Sequence, residues 1–207
     1  MDIQHSYNTW SSTYDSDRNL TRDLDAQVTR QKLGERRFNR LLELGCGTGK
    51  NTIFYASIAN SVDALDFSEG MMAQARAKVS DAHVHFALAN LTQPWACASE
   101  AYDLAVCNLI LEHISDLHFI FREAHRVLKA GGQFFISELH PFRQYIGGRA
   151  TLAQGGAAQE ITAYVHHISA FLGAARGADF TLLELDEWWH EADEGKPPRL
   201  ITFLFQK

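Results

Sequence analysis

Leu41-Leu42-Glu43-Leu44-Gly45-Cys46-Gly47-Thr48-Gly49-Lys50-Asn51 is the stretch that decides the fold. A strand-like apolar run stops at three glycines in alternate positions, and a helical segment resumes after Asn51. Glycine lets the backbone take positive φ and approach a ligand closely. In open parallel sheets, nucleotide-like ligands bind at such strand-to-helix turns. Counting residues excludes two familiar glycine loops. A dinucleotide fingerprint needs glycine where Lys50 stands, and a P-loop needs glycine at Leu44 and Ser or Thr at Asn51. What remains is E-x-G-x-G-x-G, with Glu43 at the strand end within reach of the turn.

About 20 residues on, where an acid is placed to meet a ribose, Val62-Asp63-Ala64-Leu65-Asp66 ends a second apolar run. Ser68 is positioned to cap a helix with Met71, Met72, Ala75 and Val79 on its inner side. Asp63, one strand position out of phase, is the weaker candidate. The glycine pattern, together with the D-x-S-x-x-M spacing from Asp66 to Met71, resembles the class I S-adenosylmethionine-dependent methyltransferases, especially the small-molecule branch called type 11. The resemblance implies an α/β fold, a Rossmann-like doubly wound seven-stranded mixed sheet with an antiparallel final strand. It also implies S-adenosylmethionine as cofactor. Glu43, Gly45, Cys46, Gly47 and Gly49 would surround that ligand, Asp66 would take both ribose hydroxyls, and Phe67 and Met71 would stand in the adenine pocket.

Further segments extend the resemblance. Ala89-Asn90-Leu91 stands where the family usually has Gly-Asp-Leu, so Asn90 would offer the adenine amino group a neutral acceptor in place of a charged one. Asn108-Leu109-Ile110-Leu111-Glu112-His113-Ile114 resembles the segment along the methionine part of the cofactor, whose backbone carbonyls take the ammonium group. Tyr7 to Asp15 reads Y-x-x-W-x-x-x-Y-D, an element that implies a lid carrying Tyr7 and Tyr14; aromatic anchoring of a terminal segment is the plainer alternative. The implied chemistry is in-line methyl transfer to a small-molecule acceptor with an oxygen or nitrogen nucleophile, in which alignment does most of the work. A hydroxyl acceptor needs a base, for which His140, just after a strand, and His113 are the candidates, with His166 and His167 behind them. The alternative function is a noncatalytic S-adenosylmethionine-binding regulatory protein.

Strands and helices alternate along most of the chain, as expected of a doubly wound sheet. A polar helix is expected from Thr21 to Arg37, and strands over 38–44, to Asp66, and over 83–88, 102–108 and 133–137. Leu117, Ile120, Phe121, Ala124, Val127 and Leu128 form an apolar helical stripe, expected to close at Lys129 with Gly131 as cap. Residues 180–189 and 200–205 read as an antiparallel pair. All 207 residues are expected in one methyltransferase domain: lid and helix over 1–37, cofactor-binding core over 38–140, irregular cover over 141–160, and a C-terminal helix with the strand pair over 161–207. A net charge of −6 without a long basic run argues against a nucleic-acid partner. No run reaches the ~20 apolar residues of a membrane span, no basic-apolar leader opens the chain, and Cys46, Cys97 and Cys107 lack metal-ligand spacing. A cytoplasmic protein without metal is therefore expected.

Overall fold

The structure, a computed structural model, describes residues 3–16, 18–147, 151–154, 157–160 and 163–207. Seven helices, α1 Ile3–Trp10, α2 Leu20–Leu33, α3 Thr52–Ile58, α4 Glu69–Lys78, α5 Leu117–Val127, α6 Pro141–Tyr145 and α7 Ile168–Gly177, are assigned among these residues. The strands are β1 Phe38–Leu44, β2 Ala59–Asp66, β3 Val84–Leu88, β4 Tyr102–Asn108, β5 Leu128–Leu139, β6 Thr151–Gln154, β7 Ala157–Glu160, β8 Thr181–Trp188 and β9 Leu200–Gln206. Seven of them form one sheet in the order β3-β2-β1-β4-β5-β9-β8, while β6 and β7 pair separately. The first five are parallel, and β9 runs antiparallel between β5 and β8.

Alternation along each central strand divides the core. Leu42, Leu44, Ala105, Cys107, Phe134, Ile136, Phe203 and Phe205 face α5 and α7, whereas Leu41, Leu104, Val106, Phe135 and Leu204 pack with Tyr55 and Ile58 of α3 and Leu33 of α2. Strands buried on both faces read as continuous apolar runs, which is why their central segments are legible, although β5 extends beyond the expected 133–137 to Leu128–Leu139. The α5 stripe is buried as the periodicity requires, and Asp116 caps the helix by accepting from Phe119 N–H at 3.0 Å.

Three expectations are corrected. α5 ends at Val127, because Leu128 becomes extended and pairs with Tyr102; Gly131, at φ +75°, lies inside β5 and not at a helix cap. α2 stops at Leu33, short of Arg37. Residues 141–160 contain α6 and the β6–β7 hairpin where irregular backbone was expected; 148–150, 155 and 156 lie outside the described residues. His166 and His167, the further base candidates, precede α7: the His167 ring meets the Tyr145 hydroxyl, while His166 Nε2 bridges the carbonyls of Leu111 (3.1 Å) and Ile114 (2.7 Å). Among the described residues no helix is long and apolar enough to cross a membrane.

Candidate functional site

Strand order reverses between β1 and β4, so the connections leaving them part company and open a crevice beyond their carboxyl ends. A cavity of about 460 Å³ lies there, a size suited to a small organic ligand. Its wall is built by the turn after β1, Asp66 and Phe67 after β2, Ala89–Thr92 after β3, and Asn108–Ile110 after β4. Tyr7 of α1, Tyr14, and Arg22 and Asp25 of α2 complete it.

The glycines of the turn do different things. Gly45, at φ +74°, leaves no room for a side chain, since an added Cβ would meet Ile110 Cγ2 at 2.5 Å. Gly47, at φ +54°, lines the cavity, and a Cβ there would meet nothing within 4 Å. Gly49 is the one glycine of the expected ligand set outside the wall. Its Cβ position, at φ +79°, faces Ala75 at 3.2 Å, so it lets the turn pack on α4.

Asp66 is held by N–H groups of Gly47 and Ser68, each at 2.8 Å. Burial raises its carboxyl above the usual range against the pull of those donors. Glu43, 4% exposed, accepts the Thr52 hydroxyl at 2.6 Å, and burial pushes it up to about 8. Cys46 lines the same wall, its thiol raised well above normal by burial and so kept protonated. Asp63 points elsewhere, bonded to Arg40 and to the Tyr102 hydroxyl.

Asn90 lines the cavity, but its Oδ1 already accepts both the N–H and the hydroxyl of Thr92, at 3.0 and 2.8 Å. Its oxygen therefore stabilises a turn, and the expected adenine contact would compete with those two donors. Leu91, Met71 and Phe67 supply apolar wall beside it. Leu109, at φ +57°, is a left-handed non-glycine residue in the wall. The turn that strains it is pinned by Glu138 Oε1, which accepts the N–H groups of Ile110 (2.9 Å) and Leu111 (2.8 Å).

The N-terminal segment closes over the opening. Asn8 Oδ1 accepts the Ser68 hydroxyl (2.7 Å) and Gly70 N–H (3.0 Å), and Gln4 donates to the Phe67 carbonyl at 2.6 Å. Trp10 and Tyr14 meet edge to face with centroids 4.6 Å apart, and the Arg22 guanidinium lies 4.0 Å over the Tyr14 ring. Tyr7 reaches across to His113, its hydroxyl 2.8 Å from Nε2.

The two candidate bases separate here. His113 lines the cavity with Tyr7. His140, the candidate just after a strand, is 5% exposed and caps α6. Its Nδ1 accepts Phe142 N–H at 3.1 Å, so Nε2 carries the proton and donates to Glu187 Oε1 at 2.8 Å. Both ring nitrogens are engaged away from the cavity, which corrects the expectation that His140 meets an acceptor. Sequence reasoning missed Arg22, Asp25, Thr48 and Asn51, all in the wall. Asp25 receives amide hydrogens from Asn51 (2.9 Å) and Asn108 (2.7 Å), and the buried Asn51 Oδ1 has no hydrogen-bond partner among the described residues.

The fold and this crevice define a Rossmann-like methyltransferase architecture. Residues 42–136 match the family described as Methyltransferase domain. A malonyl-[acyl-carrier protein] O-methyltransferase from Pseudescherichia vulneris is 34% identical over 122 residues, 59% of this chain and 47% of that protein. The chain thus spans about half the length of that curated relative. Among solved structures, an S-adenosylmethionine dependent methyltransferase from Mesorhizobium loti superposes with a TM-score of 0.73 at 23% identity, covering 87% of this chain and 96% of that one. The N-methyltransferase NodS from Bradyrhizobium japonicum, solved in complex with S-adenosyl-L-homocysteine, gives 0.66 at 17% identity, with 92% and 89% covered. The chain thus has the fold of S-adenosylmethionine-dependent methyltransferases and carries a match to the Methyltransferase domain family over residues 42–136. The wall fits S-adenosylmethionine: a backbone left open at Gly47, two apolar side chains beside an acid that ends β2, and a buried acceptor at Asn51 that has no partner among the described residues.

Proposed function

We propose that the protein catalyses transfer of the methyl group of S-adenosylmethionine to a small-molecule acceptor through an oxygen or nitrogen nucleophile. The observation that carries this reading is one cavity in which the glycine turn, Asp66 and the turn after β4 meet the Tyr7–His113 pair. In it Asp66 holds the ribose hydroxyls, Phe67 and Met71 flank the adenine, and backbone groups of Gly45–Gly47 and Asn108–Leu109 hold the methionine part. The cofactor supplies a methyl group activated by attachment to a sulfonium. The chain's own work is to exclude water with the α1 segment, to align the acceptor, and, for a hydroxyl, to take its proton at His113, which Tyr7 orients. An amine acceptor needs only to be held unprotonated. The curated relative named an O-methyltransferase and the neighbour named an N-methyltransferase keep both nucleophiles within the reading.

Calorimetry with S-adenosylhomocysteine, followed by an acceptor-library screen that reads its formation from S-adenosylmethionine, tests the proposal. Tight binding with turnover of a small hydroxyl or amine compound is expected. Binding without turnover of any acceptor would favour the noncatalytic regulator instead.

A further inference from the structure

Three carboxyl groups face the cavity from three elements: Glu43 ending β1, Asp66 ending β2, and Asp25 from α2. They are 4%, 6% and 3% exposed. Asp66 is compensated by two backbone N–H groups and Asp25 by two side-chain amides, whereas Glu43 accepts the Thr52 hydroxyl. Around Glu43 stand Asp66, Asp25, the Cys46 thiol and the Tyr55 hydroxyl of α3, which donates to Asn108 at 2.8 Å. The cations in the wall are Arg22, stacked on Tyr14, and Lys50, drawn 2.7 Å from Asp23 on the exposed side. The buried Asn51 Oδ1, without a partner among the described residues, adds a fourth acceptor. Three acids outnumber the two cations, and the acids are the buried members. Like charges at close quarters in a poorly solvated site are relieved either by a proton or by a cationic ligand.

We infer that Glu43, Asp25 and Asp66 form a charge-selective wall that gives up a proton as S-adenosylmethionine binds, so that the pocket prefers the sulfonium cation to the uncharged thioether of the product. The inference rests on the proposed function and deepens it by assigning the discrimination between cofactor and product to these side chains. The two ligands share adenine, ribose, ammonium and carboxylate and differ at sulfur, which carries a positive charge with the methyl group and none without it. Glu43 is the member that yields the proton: it has only the single hydroxyl donor named above, where Asp66 and Asp25 have two donors each, and burial pushes it up to about 8. Below that value a cation must displace the proton and so binds more weakly, which makes affinity rise with pH up to about 8. A ligand uncharged at sulfur has less reason to displace it.

The test is titration calorimetry of the full chain with S-adenosylmethionine and, separately, S-adenosylhomocysteine, at pH 6.5 and 7.5 in phosphate and in Tris. S-adenosylmethionine is expected to release more protons than S-adenosylhomocysteine, seen as a buffer-dependent heat, and to gain about 5- to 10-fold in affinity over that interval. S-adenosylhomocysteine should change by less than about twofold on the same linkage argument. Their common amino group cancels in the comparison. Glu43→Gln, which keeps an acceptor for Thr52, should remove the difference, and Asp25→Asn should reduce it. Equal proton release and equal pH slopes for the two ligands in the unaltered protein would overturn the inference while leaving the cofactor pocket standing. Failure of both ligands to bind would overturn it together with the proposed function.

Discussion

Replacing Gly45 by alanine tests whether close approach of the turns after β1 and β4 shapes the cavity. The new Cβ would stand 2.5 Å from Ile110 Cγ2 and 3.1 Å from Cδ1, at φ +74°. Gly47→Ala is the internal control, with φ +54° and no protein atom within 4 Å. A left-handed backbone costs an L-residue about 1–2 kcal/mol at either position, and a methyl forced into a packed contact adds about 1–3 kcal/mol. Ile110 cannot retreat easily: its branched Cγ2 is stiff, and its N–H is tied to Glu138 at 2.9 Å. Urea unfolding should therefore show a loss of about 2–5 kcal/mol for Gly45→Ala against about 1–2 kcal/mol for Gly47→Ala. Adding Ile110→Ala to the first variant should recover most of the difference, because the two sites share one contact. Ligand affinity should behave differently, since Gly47→Ala keeps most of its stability yet places a methyl on the cavity wall, and weakens S-adenosylhomocysteine in calorimetry. Stabilities of the two glycine variants within about 0.5 kcal/mol, or no recovery in the double variant, would refute the reasoning.

Asp66→Asn leaves one acceptor for two backbone donors and none charged for a ribose; calorimetry should show affinity for S-adenosylhomocysteine lower by about 10- to 100-fold, equivalent to about 1.5–3 kcal/mol. His113→Ala should reduce kcat for a hydroxyl acceptor by about 10²- to 10⁴-fold. His140→Ala should leave kcat unchanged and cost about 1 kcal/mol in chemical unfolding, the value of a lost helix cap. Asp193, 1% exposed, accepts from Arg199 Nε and Nη2 at 2.7 and 2.6 Å, and these bonds hold its carboxyl below the usual range. A depressed folded value means that its stabilisation is complete above the unfolded carboxyl's ~3.9 and is lost as pH falls below it. Asp193→Asn should flatten the acid limb of the stability profile and cost about 3–5 kcal/mol at neutral pH.

Where a property depends on neighbours in sequence, reading the chain was enough. β1 and β4 were located from their apolar segments, because Leu41–Leu44 and Leu104–Cys107 are buried on both faces of the sheet. The turn at Gly45–Gly49 and the acid at Asp66 were legible for a related reason. Covalent spacing brings the end of one strand beside the end of the next in a parallel sheet, so their separation along the chain predicts their separation in space. Gly131 misled because a paired glycine after a helical stripe usually caps it, and here pairing of Leu128 with Tyr102 across the sheet overrode that local signal. The histidines were beyond local rules altogether. His113, His140 and His166 all follow or adjoin strands and turns on the same side of the sheet, but where each ring faces is settled by a partner far away in sequence: Tyr7 for His113, Glu187 for His140, the carbonyls of Leu111 and Ile114 for His166. Asp25 was equally hidden, since α2 reads as a polar helix. It becomes part of a cavity wall only when Asn108, 83 residues further on, and Asn51 close upon its two oxygens. The direction of a polar side chain is set by whichever donor or acceptor removes its desolvation cost, and that partner is chosen by the packing of distant elements.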